Sequence, residues 1–398
     1  MSTQSSVKYV TGSIFSLFCL GGYFLAIAYG VTFLIPMLVE QSGGDAAVAG
    51  LVISSATIST VLFVVLCGHL TDYLGANLAV VLSSVLLAIA SFGFAFSGGS
   101  ITLMMLFGFI LGIGWGVFYT LGPIILSSII EPSKRVQYFA LLSGCMMTGI
   151  GTGPLLGRMT SVLGASLEQA FIGAGVASLL GAALFMYIRH VLERSFNFEA
   201  SSSRISATSV LEVVKSPARY ALLMVGLGAC IFSGLSSFQS SYAQSLGHDY
   251  SLFFIGFVVA VISCRLFVSG FIVKRDPLIS LLILTALVSI SLLMFLFLAE
   301  NVYWYVLASV VLGIGYGLTY SVINGLAANQ APTRFISQSL LLFSLSYFVG
   351  VFGFPLIAGQ LIVSAGMQAM LYVLLVISLV NHALCYYRLY KRAALKNS

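Results

Sequence analysis

Arg265 stands inside the apolar run 251–273, with no further charge until Lys274. A charge at the centre of a hydrocarbon layer costs at least about 2.5–3.5 kcal/mol on insertion scales, so a chain keeps one only where it is paired, hydrated by a cavity, or used. Three uses fit: a structural ligand between helices, a contact for an anionic group on a bound molecule, or part of a proton-gating network. Acidic residues are absent from the middle of every apolar run. Glu40, Asp45, Asp249 and Glu300 fall at one set of run ends, and Asp72, Glu131, Glu193, Glu199, Glu212 and Asp276 at the other, with Glu168 at the start of the sixth run. A carboxylate placed to carry a proton through the layer is missing, and His69, His190, His248 and His382 also sit near run ends. No Ser/His/Asp or H-E-x-x-H constellation and no G-x-x-x-x-G-K-S/T loop occurs, so an enzyme or an ATP-driven machine is not the expected reading. No cofactor and no metal is implied.

The elements that must position Arg265 follow from composition. The chain has 398 residues, 60% hydrophobic and 7% charged, against about 25% charged in ordinary globular domains. Its apolar segments are continuous and run to about 20 residues, which predicts membrane-spanning helices rather than barrel strands. Twelve spans are expected: 11–37, 48–67, 78–97, 101–126, 137–161, 168–189, 219–243, 251–272, 278–299, 303–327, 337–363 and 367–389. If the N-terminus is cytoplasmic, every Lys and Arg falls at a cytoplasmic span end except Arg158 and Arg265. That asymmetry predicts an inner-membrane, multi-pass protein with both termini in the cytoplasm. The basic residues thus report topology and give no reason to expect a nucleic-acid partner. The first span is too long for a signal peptide and is read as retained. Six cysteines without a C-x-x-C pair read as small packing residues.

The stretch 190–218 is the longest polar segment and divides the chain into residues 1–189 and 219–398, each expected to form a six-helix bundle. The two halves repeat. Leu111-Gly-Ile-Gly-Trp115-Gly116 returns as Leu312-Gly-Ile-Gly-Tyr316-Gly317. Gly149, Gly153, Pro154 and Gly157 return near the same offset as Gly350, Gly353, Pro355 and Gly359, and Asp72 has a counterpart in Asp276. Parallel repeats of this kind suggest pseudo-two-fold halves around a central site.

On these residues the chain resembles the major facilitator superfamily over essentially its whole length. Gly68-His-Leu-Thr-Asp72-Tyr-Leu-Gly75 matches the loop signature G-x-L-x-D-R/K-x-G-R/K-R/K in its glycines, leucine and aspartate. Arg265, Gly270, Lys274, Arg275 and Asp276 look like its degenerate second copy. Ala140, Gly149, Gly153, Pro154 and Gly157 resemble the fifth-span antiporter motif G-x8-G-x3-G-P-x2-G. The departures are Tyr73 where a base is usual, Ala76 and Asn77 where a basic pair is usual, and no arginine in the fourth span near Gly108.

The resemblance implies an all-α, twelve-helix secondary transporter working by alternating access, as a monomer in lipid, on a small-molecule substrate. It implies gating roles for Gly68, Asp72, Gly75, Gly149, Gly153, Pro154, Gly157, Lys274, Arg275 and Asp276. Asp72 is expected to accept N–H bonds at the start of the third span, Gly68 and Gly75 to turn the chain with positive φ, and the fifth span to pack on the eighth. Spans one, four, seven and ten line the pathway in proteins of this kind, which nominates Tyr23, Tyr29, Trp115, Tyr119, Gln239, Tyr242, Tyr316, Tyr320 and Asn324 beside Arg265. Rings mixed with hydroxyls suit an amphipathic ligand. The expected function is export of a small amphipathic or anionic organic compound, coupled to protons by antiport. A metabolite importer or uncoupled facilitator, an exporter of a siderophore-like metabolite, and a ligand sensor that does not transport stand as alternatives.

Overall fold

In lipid a backbone N–H or C=O finds no water, which leaves the helix as the spanning element for a continuous apolar run. The computed structural model describes residues 12–131, 135–195, 205–268 and 275–397, and these are helical almost throughout, with no strand among them. α1 (Gly12–Gly30), a 3-10 turn (Val31–Leu34) and α2 (Ile35–Gln41) form one path, followed by α3 (Ala46–Leu74), α4 (Ala76–Ala95), α5 (Ile101–Ile129), α6 (Arg135–Val162) and α7 (Glu168–Ser195). The short α8 (Ala207–Lys215) lies in the polar stretch. Then come α9 (Ala218–Ser237), α10 (Gln239–Ser245), α11 (Ser251–Ser263), α12 (Pro277–Phe297), α13 (Val302–Asn329), α14 (Ile336–Ala365) and α15 (Met367–Asn397). Among the described residues, 11 helical segments are long and apolar enough to cross a membrane. α11 is shorter, with 13 residues, and continues as a π-helix over Cys264–Val268, which carries Arg265.

Helices outrun their apolar runs because backbone hydrogen bonding continues past the hydrocarbon until a cap stops it. α3 was expected to end near 67 but reaches Leu74, where Gly75 takes φ +76° and closes it. This corrects two expectations. Gly68 is a buried residue inside α3 and makes no turn. Asp72 lies in the last turn of α3 rather than at the N-cap of α4, which is Gly75. Capping by aspartate occurs in the second copy, where Asp276 accepts from the N–H groups of Leu278 (2.9 Å) and Ile279 (3.4 Å).

Within the first half α1 packs on α6 and α7, α3 on α5, and α4 on α5 and α7; within the second, α9 packs on α14 and α15, α11 on α13, and α12 on α13 and α15. Two seams join the halves, α3 with α14 and α6 with α11. The distal end below means the side away from Gly12, where α2 ends, α3 begins and α14 ends.

Candidate functional site

The first and seventh apolar paths are both interrupted. α1 gives way to the 3-10 turn after Gly30, with Pro36 opening α2, and α9 stops at Phe238 before α10. Just before the first break, Tyr29 stacks on Trp115 of α5, with centroids 4.9 Å apart and planes 7° from parallel. Before the second, Phe232 stacks on Tyr316 of α13 at 5.0 Å and 11°. Trp115 and Tyr316 are the pair matched by the sequence repeat, so the same stacked motif stands in both halves. Phe33 joins them, edge-on to both Tyr29 and Phe232.

The next repeat-related pair closes on itself. The hydroxyls of Tyr119 and Tyr320 hydrogen-bond across the halves. Tyr347 of α14 stacks on Tyr119 (5.7 Å, 10°) and stands edge-on to Tyr320. Arg265 lies beside this group, 7% exposed, and its guanidinium donates to the Ser143 hydroxyl on α6. Tyr119, Tyr320, Tyr316 and Tyr347 all lie near it. The indole N–H of Trp115 and the hydroxyl of Thr120 are buried and find no hydrogen-bond partner among the described residues. Such groups are costly to leave unmade. The arrangement is one fixed cation, several hydroxyls and flat apolar walls, a combination suited to an anion carrying an apolar body.

Of the nominated residues, Tyr29, Trp115, Tyr119, Tyr316, Tyr320 and Arg265 come together here. Asn324, one turn beyond Tyr320 and half-buried, lies with its side chain against the Tyr320 hydroxyl and joins them. Tyr23 faces α6 instead, 3.3 Å from the Thr152 hydroxyl. Gln239 donates to the Tyr305 hydroxyl (2.7 Å), and Tyr242 donates to the Phe295 carbonyl (2.5 Å). Those two point into the packing of α12 and α13, because the break after α9 turns them from the face a straight helix would give. Reading the sequence missed Ser143, Phe33, Phe232, Tyr347 and Phe352, the last edge-on to Tyr29. They look like ordinary apolar-span residues, and only the packing of the helices around Arg265 brings them together.

Of the residues given gating roles, Gly153, Pro154 and Gly157 lie toward the distal end of α6, whereas Gly68, Asp72 and Gly75 at the end of α3 and Asp276 at the start of α12 lie at the opposite end. A Cβ on Gly153 would overlap the backbone of Gly30 and Val31, at the break in the first path. Gly149 fits against the Tyr23 carbonyl and Gly157 against Leu34 and the Tyr250 hydroxyl. The glycine face of α6 therefore meets chiefly α1 and the 3-10 turn, whereas contact with α11 runs through Gly151 against Val258. Tyr250 donates to the Pro154 carbonyl at 3.5 Å, and Arg158 pairs with Asp249 at 2.5 Å. A groove of 650 Å³ lies beside that ion pair, lined by Met37, Glu40, Ser240 and Gln244 among others, apart from the ring cluster. Burial pushes the Asp249 carboxyl up, but hydrogen bonds from Ser251 and the Arg158 guanidinium outweigh it and hold the group below the ordinary carboxylate range. Asp276 behaves likewise: burial raises it, while Arg392 at 2.7 Å and the capped N–H groups lower it further. Arg275 is exposed, and Lys274 lies outside the described residues.

The model of the Major Facilitator Superfamily matches residues 14–355. Among curated proteins the chain is similar to the uncharacterised MFS-type transporter YqjV of Bacillus subtilis (strain 168), 23% identical over 280 residues, which is 68% of this chain and 67% of that protein. It is also similar to the uncharacterised MFS-type transporter MJ1560 of Methanocaldococcus jannaschii, 21% identical over 335 residues, 81% of this chain and 85% of that one. Among solved structures, the human organic anion transporter MFSD10 (TETRAN) superposes with a TM-score of 0.71 at 17% identity, covering 94% of this chain and 98% of that one. A point mutant of the nucleoside transporter NupG gives 0.70 at 15%, covering 94% and 99%. At these identities the structures speak for the fold, and the family match covers most of the chain. The chain belongs to the Major Facilitator Superfamily and is a multi-pass membrane transporter, not an enzyme.

Proposed function

We propose that this secondary transporter exports a small organic anion with an aromatic or otherwise apolar body, by alternating access between two six-helix bundles, residues 1–189 and 219–398. On this reading α11 and its π-helical extension form the eighth of twelve spans, and the chain works as a monomer in the inner membrane with both termini cytoplasmic. The single observation that carries the reading is Arg265, buried between the halves among four tyrosines and bonded to Ser143 of the other half. A cation held there at a cost of a few kcal/mol can repay it by binding charge at the point where the halves meet. The name of MFSD10, an organic anion transporter, is consistent with this substrate class. The direction rests on the antiporter-like spacing of Gly149, Gly153, Pro154 and Gly157.

Proton antiport is the proposed coupling. A second reading, facilitated passage without protons, is favoured by a specific observation: every described acidic residue lies at a helix end or in a loop, away from mid-span. Flux in proteoliposomes separates the two. Vesicles are loaded with radiolabelled benzoate or naphthalene-2-sulfonate, and benzylammonium serves as the matched cation. Efflux of the anions alone, accelerated by an imposed pH gradient and lost in Arg265→Gln, supports anion antiport. Anion flux indifferent to the gradient supports the facilitator, and flux of the cation at the same rate removes the role given to Arg265. Binding without flux leaves the sensor reading.

A further inference from the structure

We infer that Ser54 is a positioning residue of the transport cycle, whose hydroxyl makes the kink of α14 conditional on closure of the distal seam. Pro355 sits inside α14 and has no N–H for the carbonyl four residues back. One residue on, the Leu356 N–H and the Phe352 carbonyl are the two groups that an unbroken helix would join to each other. The Ser54 hydroxyl, on α3 in the other half of the chain, donates to the Phe352 carbonyl at 2.6 Å and accepts from the Leu356 N–H at 3.0 Å. It bridges the two groups of that ladder step. A side chain inserted there bends a helix, and adds to the bend a proline already favours.

The surrounding seam holds it in place. Gly50 meets the Pro355 carbonyl and Gly359 meets the Ala46 carbonyl so closely that a Cβ on either would overlap backbone. α6 carries the equivalent proline, Pro154, yet its glycine face packs on α1 within its own half. The proline step of α14, by contrast, is braced from across the halves. α14 also carries rings of the central cluster: Phe352 stands edge-on to Tyr29, and Tyr347 stacks on Tyr119 beside Arg265. When the seam parts, Ser54 withdraws, the Leu356 N–H returns to the Phe352 carbonyl, and α14 straightens, moving those rings. Seam closure and site geometry are thereby linked through one hydroxyl.

The inference rests on the alternating-access part of the proposed function and not on its substrate. Spin labels at Gln41→Cys and Ser364→Cys, both at the distal end, report the sealed-to-open ratio by pulsed electron resonance without any ligand. Ser54→Ala should move that ratio toward open by roughly fivefold, the loss of one net hydrogen bond. Pro355→Ala, which gives α14 back an N–H, should move it the same way, and adding Ser54→Ala to it should add little. An unchanged ratio in Ser54→Ala, or fully additive effects, would overturn the inference while leaving alternating access intact. A lower melting temperature without a shift in the ratio also overturns it, because the hydroxyl would then only stabilise the fold. A single distance population in every variant would overturn alternation at this seam, and the proposed function with it.

Discussion

Replacing Gly153 by alanine adds one carbon where α6 crosses the break between α1 and the 3-10 turn. The three nearest atoms to that carbon are backbone atoms of Gly30 and Val31, all well inside van der Waals contact. A flexible side chain could swing aside, but backbone cannot, so α6 must retreat by about 1 Å to reach ordinary contact distance. Overpacking of this kind costs about 1–3 kcal/mol, and the backbone neighbours place Gly153→Ala at the upper end. With an unfolding entropy of about 2.1 cal/mol/K per residue, a chain of 398 residues shifts by roughly 1.2 °C per kcal/mol, so a fall of roughly 2–4 °C is expected. Gly144 supplies the control: it lies in the same helix and has nothing within 4 Å of its would-be Cβ. Gly144→Ala should be neutral or slightly stabilising, since alanine is the better helix former. Thermal unfolding in detergent, followed by size-exclusion chromatography of the heated protein, measures both. Because α1 and α6 belong to the same half, the loss should not depend on access state, and flux should fall with the folded fraction. Equal melting temperatures for the two variants would refute the close-approach argument.

The cross-half glycine Gly359 should behave differently: Gly359→Ala meets the Ala46 carbonyl, so it should open the distal seam and raise alkylation of a cysteine placed at Thr57, which faces Gly353 of α14 from α3, with little change in melting temperature. The Arg158–Asp249 pair, partly in water, should contribute no more than about 1 kcal/mol and less in high salt. Asp249→Asn is expected to raise the open population slightly, and the exchanged pair Arg158→Asp with Asp249→Arg to restore it, read by the same distal spin labels. Asp276 is held below its ordinary value by Arg392 and the capped N–H groups, against burial. Its stabilising contribution is therefore present above the unfolded value near about 3.9 and is lost as pH falls through the folded value. Wild type should lose melting temperature on acidification below about pH 4, and Asp276→Asn should start lower and lose less; parallel curves would exclude the linkage.

Much of the fold was legible because the strongest signal, long apolar runs, is also the strongest structural constraint in lipid. Helix existence followed from it, whereas helix ends did not: nothing apolar marks Leu74 or Asn329, and hydrogen bonding carries the helix on to a cap such as Gly75. Seven of the ten nominated site residues meet, five of them because α5 and α13 keep one face along their length, so Trp115, Tyr119, Tyr316, Tyr320 and Asn324 stay aligned. Gln239 and Tyr242 left the cluster because α9 breaks at Phe238, and a break resets the phase on which face arguments depend. Ser143 and Tyr347 were hidden for the opposite reason. One hydroxyl or ring in an apolar span looks the same whether it faces lipid, a neighbour or a site, and only the packing of α6 and α14 distinguishes these. Arg265 and Arg158, the two basic residues out of topological place, both turn out to bind between α6 and the segments at either end of α11.

The central claim, an organic anion bound at Arg265 between the halves, is tested most directly by equilibrium binding. Trp115 lies in the cluster and Trp304, the second of two tryptophans, is 45% exposed at a helix start, so Trp304→Phe leaves a single reporter in the site. Titration with naphthalene-2-sulfonate and with naphthalene-methylammonium should quench Trp115 with the anion only, and Arg265→Gln should weaken that binding at least tenfold without unfolding the protein. Equal quenching by both charges, or an Arg265→Gln protein that binds the anion as wild type does, would contradict the account.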